Sequence, residues 1–147
     1  MTVIAWDGKT LAADKRMVSG GGIARTVTKI WRGPGRCLMG ITGSLDTALE
    51  MVQWYSRGAE PKDFPAKARE DVSTLIVILK SREIATFSSG PFPAITEDPQ
   101  AAWGSGRDFA EAAMHLGKTS TEAVEVACNF QSDCGNGIDT LTLEIEE

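Results

Sequence analysis

Thr2 is the first residue of the chain that could do chemistry, and it could do so only after one processing step. A methionine aminopeptidase removes Met1 when the next residue is small, which leaves Thr2 with a free α-amine and a hydroxyl on one residue. A hydroxyl is a poor nucleophile at neutral pH, but an α-amine with an unperturbed pKa of about 7.7–8.0 can act as its general base, directly or through a water. Such a nucleophile needs no histidine. The chain has a single one, His115, in a helical pattern, so a Ser-His-Asp or Cys-His mechanism would rest on it entirely.

A threonine nucleophile needs a charge that favours its alkoxide and donors for the oxyanion it creates. Lys29 stands between Val27 and Trp31 on one face of an alternating segment, surroundings that would desolvate an ammonium. Asp14 closes the strand after Asp7-Gly8. If that dipeptide is a two-residue turn, Asp14 lies opposite Met1 or Thr2, where a carboxylate could orient a neighbouring ammonium. Gly43-Ser44 and Gly104-Ser105-Gly106 each stand at a strand-to-helix junction, where backbone N–H groups are available, and either could supply the oxyanion donors. Each residue alone has a plainer reading: a strand start, a strand end, an edge lysine reaching solvent, an ordinary cap.

Other chemistries are disfavoured. Cys37, Cys128 and Cys134 are an odd number without a CxxC pair, so neither a disulfide framework nor a metal site is expected, and they read as core or loop thiols. The net charge of −5 opposes nucleic acid or an anionic membrane as partner. No apolar stretch approaches the roughly 20 residues of a membrane span, and the N-terminus lacks a basic region leading into a long apolar run, so the expected location is the cytoplasm. Residues 1–147 are expected to form one domain.

The elements that must position these residues follow from periodicity. Thr2–Trp6 and Lys9–Asp14 read as a hairpin, Ile23–Trp31 and Arg36–Ile41 as a second. Leu45, Ala48, Leu49 and Val52 predict a helix to about Arg57-Gly58, with Thr47 and Glu50 at capping-box spacing. Ala59–Asp71 is a polar connection. Leu75–Leu79 is short, apolar and β-branched, which suits a strand buried on both faces, and Glu83–Phe87 and Ala101–Trp103 follow as strands. Phe109, Ala112, Ala113 and Leu116 predict a helix face with Ser105 and Asp108 at its cap. Thr119 and Glu122 cap another helix carrying Ala123, Val126, Ala127 and Phe130, and Leu141, Leu143 and Ile145 alternate along a last strand. Grouped strands and helices without strict alternation argue an α+β layered domain with mainly antiparallel sheets.

Taken together, and in order over nearly the whole chain, these segments resemble the proteasome β-subunit/HslV family of N-terminal nucleophile hydrolases. MTVIAWDGKTLAADKRMVSG is similar to its opening hairpin, TKIWR to its catalytic-lysine strand, ITGSLDTALEM to its oxyanion glycine and first helix, WGSGRDFAEAAM to its GSG turn and second helix, and DCGNG to its Asp-x-x-Ser-Gly loop. The resemblance implies an αββα four-layer sandwich and threonine-type hydrolysis of peptide bonds. Thr2 would be the nucleophile, Asp14 and Lys29 its support and Gly43 the oxyanion donor, with Ser105, Asp133 and Asn136 holding the N-terminal network. It also implies a homo-oligomeric ring or double ring, an ATP-dependent unfoldase, a polypeptide substrate, no obligate cofactor, and a monovalent cation as a candidate ligand near the Asp133 loop. The chain departs from the family in a shorter first hairpin, Asn136 for the usual Ser, Ser44 after Gly43 and Val3 after Thr2. Those departures also fit a silent structural or assembly subunit, and the same N-terminal chemistry fits a small-molecule amidohydrolase.

Overall fold

The computed structural model describes residues 2–18 and 22–144. Met1, Ser19-Gly20 of the opening motif and Ile145 of the last strand lie outside them.

Strands β1 (Ile4–Trp6) and β2 (Thr10–Asp14) form the opening hairpin, but its turn is displaced by one residue from the expected Asp7-Gly8. Asp7 N donates to Thr10 O at 3.3 Å, so Gly8 and Lys9 are the loop. The cause is the Asp7 side chain. Its Oδ1 accepts from the N–H groups of Lys9 at 2.9 Å and Thr10 at 2.8 Å, while Gly8 takes a left-handed φ of 96°. The register then pairs Ile4 with Ala13, and Asp14 donates its N–H to Val3 O at 3.1 Å. Asp14 therefore faces Val3 rather than Met1 or Thr2.

Ile23–Trp31 is likewise not one strand. β3 (Arg16–Val18) and β4 (Ala24–Thr26) pair as a separate two-stranded ribbon, and β5 (Ile30–Arg32) joins β6 (Leu38–Gly43). The break falls at residues 27–29, where Lys29 reaches Asp14. α1 (Leu45–Ser56) follows, then two short 3-10 turns, β7 (Ser73–Ile78), β8 (Ile84–Phe87), β9 (Ala94–Thr96), β10 (Ala101–Trp103), α2 (Arg107–His115), α3 (Ser120–Phe130) and β11 (Ile138–Thr142).

These elements stack as four layers. The sheet β10-β1-β2-β11 faces the sheet β5-β6-β7-β8-β9, and all their pairings are antiparallel. The period of two sorts side chains between layers. Ile4, Trp6, Leu11, Ile76, Ile78 and Ile84 fill the space between the sheets, while Val3, Ala5 and Ala12 meet α2 and α3 on one outer face. Leu75 and Val77 meet α1 on the other, so β7 is buried on both faces as its composition predicts. Each large side chain so enclosed contributes about 1.5–3 kcal/mol of apolar burial.

The helix faces differ from the periodic reading. α1 buries Ala48, Met51 and Trp54, the last edge-on to Phe64 at 5.0 Å and Phe87 at 5.2 Å, and leaves Leu49 exposed. The Thr47–Glu50 cap does not form, because Ser44 is the N-cap and Thr47 is buried with its hydroxyl donating to Asp71 at 2.5 Å. α2 buries Ala110, Ala113 and Met114 rather than the Phe109 and Leu116 side. Phe109 instead stacks on exposed Phe130 at 5.7 Å. The Thr119–Glu122 capping box forms on α3 as expected.

Candidate functional site

Thr2, Asp14 and Lys29 are buried together at one end of the two sheets, with relative exposures of 7, 0 and 5 %. A buried carboxylate is tolerable only when its lone pairs are filled. Those of Asp14 are: Oδ1 accepts from Lys29 Nζ at 2.8 Å and Val3 N at 3.1 Å, and Oδ2 from Arg16 N at 3.2 Å and Gly135 N at 3.0 Å. Lys29 is thus not an ammonium stranded among Val27 and Trp31, as the alternation implies, but one member of a buried ion pair. Through Val3, the same carboxylate holds the backbone next to Thr2.

The N–H of Thr2 donates to Ser105 Oγ at 3.2 Å, and that hydroxyl donates to Asp133 Oδ1 at 3.0 Å. Burial would raise the Asp133 carboxyl, but hydrogen bonds from Ser105 and Gln131 outweigh it and hold the group below the ordinary aspartate range. An anionic Asp133 claims the single proton of the Ser105 hydroxyl, which turns the oxygen lone pairs toward Thr2 N. Ser105 therefore does not cap α2; Gly106 is the N-cap.

The two glycines beside Ser105 are steric requirements. Gly104 has φ 95°, and a Cβ there would lie 2.1 Å from the carbonyl oxygen of Thr2. A Cβ on Gly106 would lie 2.8 Å from Cβ of Val3 and 3.1 Å from Cβ of Ala127. The N–H of Gly106 is already given to Thr2 O at 3.1 Å, so this junction is occupied with fixing the N-terminal strand. The other junction faces the open side. Gly43 lines a cavity of about 30 Å³ with Thr2, Lys29, Arg16, Met17, Val27, Ile41 and Leu45.

Asn136 is not part of the Ser105 network in the way expected of it. It takes φ 63°, accepts from Arg16 Nε at 2.8 Å and donates to Thr26 Oγ1 at 3.1 Å. Arg16, which sequence reasoning passed over, also donates from Nη1 to Ser132 O at 2.7 Å. Its guanidinium fills the space where a Cβ on Gly135 would stand, at 2.6 Å. Arg16 thus clamps the 132–137 loop that carries Asp133. The only sequence signal for it is its place two residues after Asp14, on the same side of an extended chain.

Cys134 adjoins this group, with Sγ 3.9 Å from Ser105 Oγ, but burial, and after it the Asp14 charge, pushes its thiol up to about 12. A neutral buried thiol is no nucleophile at physiological pH. Burial also pushes up Cys37 and Cys128, and no cluster of metal-ligating residues exists among the described residues. His115 is exposed in the last turn of α2.

No family model and no curated protein matches the chain. Solved structures do. HslV from Trypanosoma brucei superposes with a TM-score of 0.74 at 20% identity, over 99% of this chain and 100% of that one. Thiobacillus denitrificans BPH superposes at 0.71 with 18% identity, over 99% and 98% of the two chains. The same protein in complex with epoxomicin gives 0.70 at 18%, over 100% of each. At such identities the likeness establishes the fold: the chain has the HslV/proteasome type of fold, the αββα sandwich that its segments resemble.

Proposed function

We propose that this chain, once Met1 is lost, is a threonine-type peptidase with Thr2 as its N-terminal nucleophile. The α-amine takes the Oγ proton as Oγ attacks the substrate carbonyl carbon, and the negative charge that develops on the carbonyl oxygen is received by the Gly43 N–H. Lys29, paired with Asp14 at 2.8 Å, favours the alkoxide. Collapse of the adduct breaks the C–N bond, the leaving amine takes the proton from the Thr2 ammonium, and an acyl ester remains on Oγ. Water, deprotonated by the same amine, then hydrolyses the ester. Ser105 and Asp133 orient the amine, and Asn136 supports their loop through Arg16. The apolar walls of Met17, Val27, Ile41 and Leu45 suit a small uncharged side chain next to the scissile bond. Assembly into a homo-oligomeric ring, with delivery of polypeptide by an ATP-dependent unfoldase, belongs to the same proposal.

The observation that carries this reading is the Asp14 carboxylate, which binds Lys29 at 2.8 Å and the N–H beside Thr2 at 3.1 Å and so locks lysine and N-terminal strand into one unit. Intact-mass analysis of natively expressed protein tests it first: loss of Met1 is expected, and retained Met1 sinks the proposal. The mature chain should then be acylated at Thr2 by a hydroxyl-directed β-lactone, with labelling absent in Thr2→Ala. Mature protein that resists the lactone is a silent subunit. Turnover of a small amide with none of peptides would make it an amidohydrolase.

A further inference from the structure

The Gly43 N–H can receive an oxyanion only if its direction is fixed, and no side chain of α1 fixes it. Ser44 is the N-cap of α1 yet its hydroxyl makes no capping bond. The neighbouring strand supplies one instead. Ser73, 2 % exposed at the start of β7, accepts from Ser44 N at 3.1 Å and donates back toward Ser44 O at 3.3 Å. One hydroxyl thus grips both backbone polar groups of Ser44. On the other flank, Thr42 is held in the sheet opposite Thr74. Gly43 lies between with φ 93°, opposite Ser73 in the sheet, and these flanks constrain so permissive a residue.

The 71–73 segment also presses on Gly43 directly, since a Cβ there would lie 2.1 Å from Val72 O. That segment is braced in turn. Asp71 accepts from the buried Thr47 hydroxyl at 2.5 Å, and Ser73 N donates to Asp71 O at 3.0 Å. Ser73 is also the sheet partner of Gly43, and its buried hydroxyl is satisfied by the Ser44 backbone alone among the bonds described.

We infer that Ser73 is a positioning residue for the oxyanion site, acting on substrate through Ser44 and Gly43 without touching it. The inference rests on the peptidase reading and adds a residue of β7 to it. Ser73→Ala should leave KM within about twofold and lower kcat about 10- to 50-fold, less than the roughly 10²–10³ lost when an oxyanion donor is removed outright. Two labels of Thr2 separate this role from simple loosening of the fold. A β-lactone develops negative charge on a carbonyl oxygen during acylation, whereas a peptide vinyl sulfone alkylates the hydroxyl without doing so. In the mature protein, Ser73→Ala should slow lactone labelling about 10-fold or more and leave vinyl sulfone labelling unchanged, and Ser73→Thr, which keeps the hydroxyl, should restore the lactone rate. Equal slowing of both labels, or of neither, overturns the inference. If Ser73→Ala does not fold, Ser73→Cys, which keeps the volume but replaces the hydroxyl with a weak donor, is read in the same way. Wild-type protein labelled by neither reagent would overturn the peptidase reading and the role of Ser73 with it.

Discussion

Replacing Lys29 by Met and Asp14 by Asn should destabilise the protein unequally, and the order follows from how the four donors to Asp14 are arranged. Lys29→Met removes one of them, the ammonium at 2.8 Å, and leaves the carboxylate with the N–H groups of Val3, Arg16 and Gly135. Breaking a buried ion pair costs about 3–5 kcal/mol, and with three donors still in place the lower end applies, about 3 kcal/mol. Asp14→Asn removes the charge and replaces one of the two oxygens, each of which accepts from two of these donors, with a donor group. The Lys29 ammonium is then 5 % exposed without its carboxylate, and the new NH₂ group faces N–H donors, which adds about 1–3 kcal/mol for each group left unsatisfied. The expected loss is about 5 kcal/mol or more. At the 2–4 °C per kcal/mol typical of a chain this long, melting temperatures should fall about 6–12 °C for Lys29→Met and by about 10 °C or more for Asp14→Asn. Urea unfolding of both variants, with the double variant closing a cycle, gives the coupling directly. Losses below about 1 kcal/mol for both, or a larger loss for Lys29→Met, would refute the claim that Asp14 is the hub and Lys29 one of its spokes.

Three further outcomes are expected. Gly104→Ala drives a Cβ to within 2.1 Å of the Thr2 carbonyl at a φ of 95°, so it should abolish lactone labelling of Thr2 and lower the melting temperature, both read on purified protein. Asp7 is buried enough to raise its carboxyl, but N–H donation from Ser120, Thr10 and Lys9 wins and holds it below its ordinary value. Its stabilising contribution is therefore complete above the unfolded value of about 3.9 and is lost as pH falls through the lower folded value, so the stability gap between wild type and Asp7→Asn seen at neutral pH should narrow in acid. Cys134, buried and pushed up to about 12, should resist iodoacetamide at pH 8 in the folded protein and react once urea unfolds it, as mass spectrometry would report.

Residue type carried part of the site: Thr2, Asp14 and Lys29 were marked by chemistry that needs them, Ser105 as a network residue only by the family resemblance, and the structure brings the four together. What they touch was not legible. Ser105 with Asp108 has the spacing of a cap, yet the Ser105 hydroxyl goes to Asp133 and Thr2 N, residues 28 and 103 positions away. Asn136 stands in the expected loop but binds Arg16, 120 positions distant. Local patterns record the neighbours along a helix or strand, and these bonds are tertiary. The helix faces failed for a related reason. Phe109 and Leu116 satisfy the apolar period, but Ala110, Ala113 and Met114 satisfy it as well and are the face that packs into the core, while Leu116 falls past the helix end as its C-cap. The buried strand at 75–78 was legible because burial on both faces leaves an unbroken β-branched run, which few other settings produce.

The register of the first hairpin shows how a distant residue sets the chemistry. With Asp7-Gly8 as the loop, Trp6 would pair with Lys9 and Asp14 would fall opposite Met1; with Gly8-Lys9, Trp6 pairs with Leu11 and Asp14 reaches Val3. The choice is made at the far end of the hairpin, where Asp7 accepts from Lys9 N and Thr10 N and, through its other oxygen, from Ser120 N at 2.9 Å in the first turn of α3. The positive end of that helix favours the carboxylate there. Alternation does not choose between these registers, which differ by two residues and so leave Leu11 and Ala13 between the sheets and Ala12 toward the helices in both. The turn therefore selects the register, and that register delivers the Asp14 carboxylate to Val3 N and Lys29. In this hairpin, the bonds that Asp7 accepts at the turn set the placement of Asp14 beside Thr2, a choice that the pattern of buried residues leaves open.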